Sequence, residues 1–277
     1  MSTIETTRPD TSAVLRASRA GRRRKLRGRS AATMGIWAAS LLVGVLLWWL
    51  GSVLLGAFVM PSPLATLQGI VDLADRGTLF PSIAASLQRI LIGWAIWLVL
   101  GAPIGVLMGR SRLIRNILDP YVEILRFIPA IALITVMVVW FGIGEESKIA
   151  LIVYTSIFVV VISTCDATLR IPNDKVLAAQ SLGANRLQVL WTVVVPSAIP
   201  GIVTGARLAM GNSFLTIISA EMVAARSGLG TIIWTSYTFG RIDWIFAGIV
   251  VLAALGFICD RIVRLLALWL LGKYGVK

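Results

Sequence analysis

The chain has 277 residues, of which 57% are hydrophobic and 14% are charged, and its formal net charge is +13. This apolar content exceeds what a soluble domain of this length needs for its core, so we expect a polytopic membrane protein and no nucleic-acid binding. The absence of His, and the position of both cysteines (Cys165 and Cys259) in apolar stretches, argue against imidazole catalysis, a His-containing zinc site and a disulfide framework.

The N-terminal residues are strongly basic, because nine of the 26 Lys and Arg residues lie in the first 30 positions. We predict that 1–30 is a disordered, Arg-rich cytoplasmic tail that contacts anionic lipid, where each basic residue near the surface contributes about 1 kcal/mol; an unknown partner is the alternative. Residues 31–80 are expected to hold the first transmembrane helix and an external loop. This helix should be retained, since the uncharged stretch 34–58 is too long for a signal-peptide core.

Six stretches are apolar and long enough to cross a bilayer, and they lie at about 34–58, 84–109, 121–141, 148–166, 199–222 and 244–266. The predicted fold is therefore all-α with six transmembrane helices, five of them in a core at 81–277. Basic loops alternate with the acidic segments 59–83 and 142–147. The positive-inside rule then places both termini in the cytoplasm.

The segment at about 167–198 is too polar to span a membrane and shows helical periodicity. Asn173 or Asp174 is a plausible N-cap after Pro172, and Gly183 supplies a break after roughly two turns. A short helix, a turn and a second short helix are predicted.

This segment resembles the cytoplasmic E-A-A-x3-G-x9-I-x-L-P signature of ATP-binding-cassette importer permeases. The matching residues are Leu177-Ala178-Ala179, Gly183 and Val193-Val194-Val195-Pro196. Further motifs are similar to the nitrate/sulfonate/taurine-type permeases over about 80–271: 140–148 (WFGIGEESK), 205–211 (GARLAMG), 220–222 (AEM) and 227–230 (SGLG).

The resemblance implies the fold of a type I ABC importer permease in the bacterial inner membrane. It also implies a second copy of the permease, two cytoplasmic ATPase subunits that hold ATP and Mg, and an external solute-binding protein; this chain itself binds no cofactor or metal. The implied function is ATP-driven import of a small, anionic solute by alternating access. The residues expected to couple to the ATPase are Leu177, Ala178, Ala179, Ser181, Leu182, Gly183, Ala184 and Arg186.

Polar residues inside the spans are costly and mark either a solute pathway or a paired structural contact. The pathway candidates are Thr135, Thr155, Ser156, Asn212, Ser213, Thr216 and Ser219. Positions 212, 216 and 219 share one helical face, but a lone Ser or Thr also bonds its own helix carbonyl four residues back. Small residues along 205–211 indicate close packing, at a dimer interface or within one subunit.

Three charged residues are candidates for a gate or a structural role. Arg126 and Arg207 lie near predicted cytoplasmic ends, where Arg can reach the interface, and we expect structural pairing, for instance of Arg126 with Glu123 or Asp119. Glu221, at the outer end of the fifth span, is expected to be a gate or packing contact because it would repel an anion.

Two alternatives to the importer permease remain. A self-sufficient secondary transporter usually shows inverted repeats and broken helices, and a non-transporting anchor or assembly protein would have no use for a coupling segment. The sequence has no G-x-x-x-x-G-K-[ST] phosphate loop, so a partner chain has to hydrolyse ATP. A requirement of transport for that ATPase separates the three possibilities.

Overall fold

The computed structural model describes residues 35–273, and within that range it is all-helical, with no strand. The tail predicted at 1–30 lies outside the described residues. The chain divides into two compact units, Met1–Pro63 and Leu64–Lys277. In the first unit, helix α1 (Gly35–Leu55) is followed by a turn, and the Trp48 indole Nε1 donates a hydrogen bond to the Pro61 carbonyl at 3.0 Å.

Ten further helices follow α1 in the described part of the chain. Their bounds are α2 Pro63–Asp75, α3 Leu79–Arg110, α4 Arg112–Leu125, α5 Ala130–Phe141, α6 Glu145–Leu169, α7 Asn173–Ser181, α8 Arg186–Val189, α9 Val195–Ala224, α10 Leu229–Thr238 and α11 Ile242–Lys273; a π-helical turn, Leu190–Val194, joins α8 to α9. Helices α2, α4 and α10 were not predicted as separate elements.

Five helical segments are long and apolar enough to cross a membrane: α1, α3, α6, the α8–α9 segment and α11. The third predicted span, 121–141, is not one continuous helix. It is a pair, α4 and α5, bent by 103° at the break between Leu125 and Ala130. Pro129 at the N-cap of α5 explains the break, since proline donates no backbone hydrogen bond and disfavours helix in the residue before it. The sixth crossing therefore depends on counting this pair as one span.

The core of the second unit is built by α3, α6 and α9, which lie side by side. Glycines on α3 permit close approach: a Cβ on Gly105 would lie 2.7 Å from the Val161 carbonyl oxygen of α6. On α9, a Cβ on Gly205 would lie 2.8 Å from the Ser163 Cβ of α6, whereas one on Gly211 would meet nothing within 4 Å. Gly205 therefore serves packing within the subunit.

Candidate functional site

The polar segment after α6 folds as a helix, a turn and a second helix. Helix α7 has Pro172 as its N-cap and Asn173 as its first residue, one residue earlier than the predicted cap. Gly183 has φ +86°, a left-handed conformation that favours glycine. Asn185 then starts α8 with a capping box to Gln188, and the helix continues through the π-helical turn into α9, so the second helix is not a separate short element.

One side of this segment packs inward and the other is exposed. Val176 and Val189 are buried, with Ala179 and Ala184 packed against them. The exposed side carries large apolar side chains, which we call the docking strip: Leu177 (58% exposed), Leu182 (89%), Leu187 (63%) and Trp191 (63%). Of the predicted coupling residues, Ala178, Ser181, Gly183 and Arg186 are also exposed.

A cavity of about 360 Å³ lies between the α4–α5 break, α6 and α9. Its lining residues are Arg126, Phe127, Ile128, Pro129, Ala130, Tyr154, Thr155, Phe158, Asn212, Leu215, Thr216 and Ser219. The Tyr154 hydroxyl donates to the Leu125 carbonyl at 2.7 Å and so fastens the break to α6. The break between the two helices thus forms one wall of the cavity.

The structure brings four of the seven pathway candidates to this cavity: Thr155, Asn212, Thr216 and Ser219. The Thr155 and Thr216 hydroxyls are 2.9 Å apart, and the Asn212 amide donates to the Thr155 carbonyl at 2.7 Å. The other three lie elsewhere. Ser156 and Ser213 are buried and bond each other at 3.0 Å between α6 and α9, and Thr135 is exposed on α5.

The two candidate arginines differ in their surroundings. Arg207 forms a two-pronged ion pair with Asp260 of α11, at 2.9 and 3.0 Å, and so joins α9 to α11. The pairing expected for Arg126, with Glu123 or Asp119, is wrong: no carboxylate of residues 35–273 lies within 4 Å of its guanidinium. Arg126 instead stacks over Phe127, 4.8 Å from the ring centroid, because the chain leaves its helical path there.

A partly buried ionic cluster joins α3, α6 and α9 at the end of the bundle that the sequence places outside, with Glu145 its exposed member. The Arg89 guanidinium contacts Glu145 through Nε and Nη2, Glu221 through Nη1 at 2.6 Å, and the Ser227 carbonyl at 2.7 Å. The side chains of Arg89 and Glu221 are 4% and 0% exposed. Lys148 is a second partner of Glu145, at 2.9 Å.

Glu221 is also held by a second group from α3 and by the segment that starts α10. Its carboxylate accepts hydrogen bonds from the Ser86 hydroxyl at 2.8 Å and from the Gly230 backbone N–H at 2.9 Å. Gly228 has φ +137°, and a Cβ there would overlap the Glu221 carboxylate. The 227–230 turn therefore wraps the carboxylate, and Glu221 takes part in a packing contact in this conformation.

Arg89, Glu145 and Lys148 were given no role by the sequence analysis, and Arg89 is the central residue of the cluster. It is a lone cation near the start of a long apolar stretch, which by itself indicates a buried partner. The partners, however, are 56 and 132 residues away along the chain, so sequence spacing does not identify them.

A more exposed ionic group lies at the end of the bundle that the sequence places outside. Arg241, in the turn before α11, pairs with Asp243 at 2.7 Å and Asp72 of α2 at 3.3 Å. Its hydrogen bond to the Asp243 carboxylate raises the pKa of the Arg241 guanidinium above its ordinary value. Within residues 35–273, no group of three or more His, Cys, Asp or Glu side chains is arranged to hold a metal ion.

The helical core and the exposed segment between α6 and α9 coincide with a known family. A family model described as the inner membrane component of binding-protein-dependent transport systems matches residues 101–271. The chain belongs to this family. It is the membrane-embedded permease component of an ABC-type transport system, as the sequence motifs predicted.

Named relatives cover most of the permease. The taurine transport system permease protein TauC of Escherichia coli K12 is 37% identical over 242 residues, which are 84% of this chain and 87% of TauC. A putative aliphatic sulfonates transport permease protein, SsuC of Bacillus subtilis, is 33% identical over 76% of each chain. The bicarbonate transport system permease protein CmpB of Synechococcus elongatus is 33% identical over 71% of each chain.

The fold also resembles solved structures. A chain from a structure of the MetNI methionine ABC transporter in inward-facing conformations matches with a TM-score of 0.59 and 23% identity, over 69% of this permease and 97% of that chain. This similarity supports the predicted all-α permease fold.

Proposed function

We propose that this permease imports a small organic anion of the sulfonate class, powered by ATP hydrolysis in a separate subunit. The likeness to TauC over most of both chains supports this most directly. The transported solutes named for TauC, SsuC and CmpB are taurine, aliphatic sulfonates and bicarbonate. Each of these is small and carries an oxyanion group.

The proposed assembly contains two copies of the permease, two ATPase subunits that bind ATP and Mg, and an external binding protein. The docking strip supports the ATPase contact, because four large apolar side chains are exposed on a segment whose opposite side is packed. Such a patch is unusual on a surface that faces water and typically marks an interface. With this contact in the cytoplasm, both chain termini are cytoplasmic.

The way in which the helices are joined supports alternating access. The docking strip continues through α8 and the π-helical turn into α9, so a displacement at the ATPase is passed to a helix that lines the cavity. At the other end, Arg89 holds α9 to α3 and α6. We infer that ATP binding draws the two docking strips together and opens the dimer outward, and that hydrolysis returns it to an inward-open state.

Reconstitution tests this proposal. The permease is purified with its ATPase, placed in proteoliposomes and supplied with its binding protein and labelled taurine. We expect uptake that requires ATP, the ATPase and the binding protein, and that alkanesulfonates reduce by competition. Flux that persists without the ATPase would indicate a secondary transporter, and a complex that hydrolyses ATP but imports no sulfonate would refute the proposed substrate class.

A further inference from the structure

We infer that Arg126 is the anion-binding residue of a solute subsite in the middle of the membrane, formed by the cavity between the α4–α5 break, α6 and α9. This inference rests on the proposed function, because it assigns the charged group that the imported anion contacts on its way through the permease. The docking strip and the Arg89 cluster are separate from this subsite.

The cavity lies at about half the depth of the bilayer. Tyr154 is the tenth residue of α6 and Thr216 lies eight residues before the end of α9. At 1.5 Å per residue these positions are about 12–14 Å from the outer ends of the two helices. Half of a hydrocarbon core is about 15 Å, so Tyr154 and Thr216 lie near the midplane, and Arg126 lines the same cavity.

The break between α4 and α5 is what brings a cation to this depth. Non-helical backbone inside a membrane is tolerated where it is buried in protein or lines a water-filled cavity. Here the residues between Leu125 and Ala130 line the cavity, and Arg126 is the first of them. The break therefore places a guanidinium on the wall of the cavity.

The charge of Arg126 is not neutralised by the described part of the chain. No Asp or Glu lines the cavity, and residues 35–273 place no carboxylate within 4 Å of this guanidinium. Arg207, the other intramembrane candidate, is neutralised by Asp260. A cation at the midplane is costly without a partner, and an entering anion supplies that partner.

The remaining walls suit a small oxyanion. A volume of about 360 Å³ admits a solute of a few heavy atoms together with water. The planar guanidinium matches a sulfonate or carboxylate with two parallel hydrogen bonds, and stacking on Phe127 limits its orientations. Ser219 adds a hydroxyl group on the α9 side, and one of the two Asn212 amide N–H groups is left to donate after the other bonds the Thr155 carbonyl. The Thr216 hydroxyl is already bonded to that of Thr155.

A phospholipid headgroup also carries an oxyanion, but it belongs at the interface, about 15 Å from the midplane. The cavity depth therefore favours a transported solute. Competition distinguishes the two sources. Added taurine should slow the labelling of a thiol placed at the subsite, as in the second experiment below, whereas a change from neutral to anionic lipid in the vesicles should not.

The first experiment compares three variants in the reconstituted complex described above. We expect Arg126→Gln to lower taurine uptake at least about tenfold, as for the loss of a charge-assisted hydrogen bond, while ATP hydrolysis stimulated by the binding protein is retained. Arg126→Lys keeps the charge but not the planar fork and should give intermediate uptake. Arg261→Gln is the matched control, since Arg261 also stacks on an aromatic ring, at 4.7 Å over Phe257, but does not line the cavity.

Unchanged uptake in Arg126→Gln would overturn the inference. So would an assembled Arg126→Gln complex that loses stimulated ATP hydrolysis together with uptake, because Arg126 would then serve coupling or structure. A loss in Arg261→Gln as large as that in Arg126→Gln would also overturn it.

A second experiment does not depend on which solute is imported. Ser219→Cys is introduced in a Cys165→Ala/Cys259→Ala background, and the new thiol is labelled with an anionic and a cationic methanethiosulfonate reagent. We expect Arg126→Gln to lower the ratio of the anionic to the cationic labelling rate by more than about tenfold, through the loss of a nearby charge in a site of reduced dielectric. An unchanged ratio would overturn the inference even if taurine is imported, whereas a lowered ratio with no taurine uptake would refute only the proposed substrate class.

Discussion

The ionic cluster of Arg89 predicts a large and specific loss of stability. Arg89→Met removes the only cation in contact with the Glu221 carboxylate among the described residues, while Ser86 and Gly230 still donate to it. Glu145 keeps Lys148 as a partner. The variant therefore leaves one buried carboxylate without a counter-charge.

The side chains of Arg89 and Glu221 are 4% and 0% exposed, and this burial determines the size of the expected loss of stability. Breaking a buried ion pair by removing one partner costs about 3–5 kcal/mol. For a domain of 150–250 residues, this corresponds to a fall in Tm of the order of 10 °C. Replacing both partners, in Arg89→Met with Glu221→Gln, removes the uncompensated charge and should recover most of this loss.

The assay is thermal unfolding of the purified permease in detergent micelles, followed by intrinsic tryptophan fluorescence. Arg241→Met is the control, because Arg241 is 38% exposed in its ion pairs and an exposed pair contributes about 1 kcal/mol or less. If Arg89→Met is no more destabilising than Arg241→Met, or if the double variant is as unstable as Arg89→Met, the cluster does not hold the helices as described.

Three further variants test other parts of the molecule. Leu182→Asp should abolish co-purification of the ATPase without lowering the Tm of the permease, since this side chain is 89% exposed on the docking strip. The control is Phe239→Asp: Phe239 is 77% exposed at the predicted outer end, and this variant should still bind the ATPase. Gly228→Ala should destabilise the permease by more than about 3 kcal/mol, because the added Cβ overlaps a buried carboxylate at a positive φ. The control Gly240→Ala, at φ +67° in open space, should cost only about 1–2 kcal/mol. Equal melting temperatures for the two variants would contradict this prediction. Thr135→Ala should leave taurine uptake unchanged, since Thr135 is exposed on α5 and does not line the cavity, and reduced uptake would place the pathway elsewhere.

The positions of most membrane crossings were predictable because long apolar stretches and basic loops are local properties of the chain. The segment proposed to couple to the ATPase was visible for a similar reason: the spacing from Leu177 to Pro196 lies within one continuous stretch. The sequence did not show which residues of this segment face the rest of the protein. In the structure, Ala179 and Ala184 pack inward, whereas Leu182 is exposed.

The arrangement of charged and polar groups depends on contacts between distant residues and could not be predicted from spacing. Arg89 meets Glu221 across 132 positions, and Arg207 meets Asp260 across 53. The break before Pro129 was visible only as a proline near the start of an apolar run. A sequence pattern does not show that such a proline turns the chain by 103° and places Arg126 on the wall of a cavity.

The Arg89 cluster also limits how a single subunit can move. It joins α3, α6 and α9 at one end, so these helices can separate widely only at their other ends. In the proposed dimer, an opening towards the external medium then has to form between the two subunits, each of which tilts as a rigid body. A route through the interior of one subunit would require the contact between Arg89 and the buried Glu221 carboxylate to break on every transport cycle.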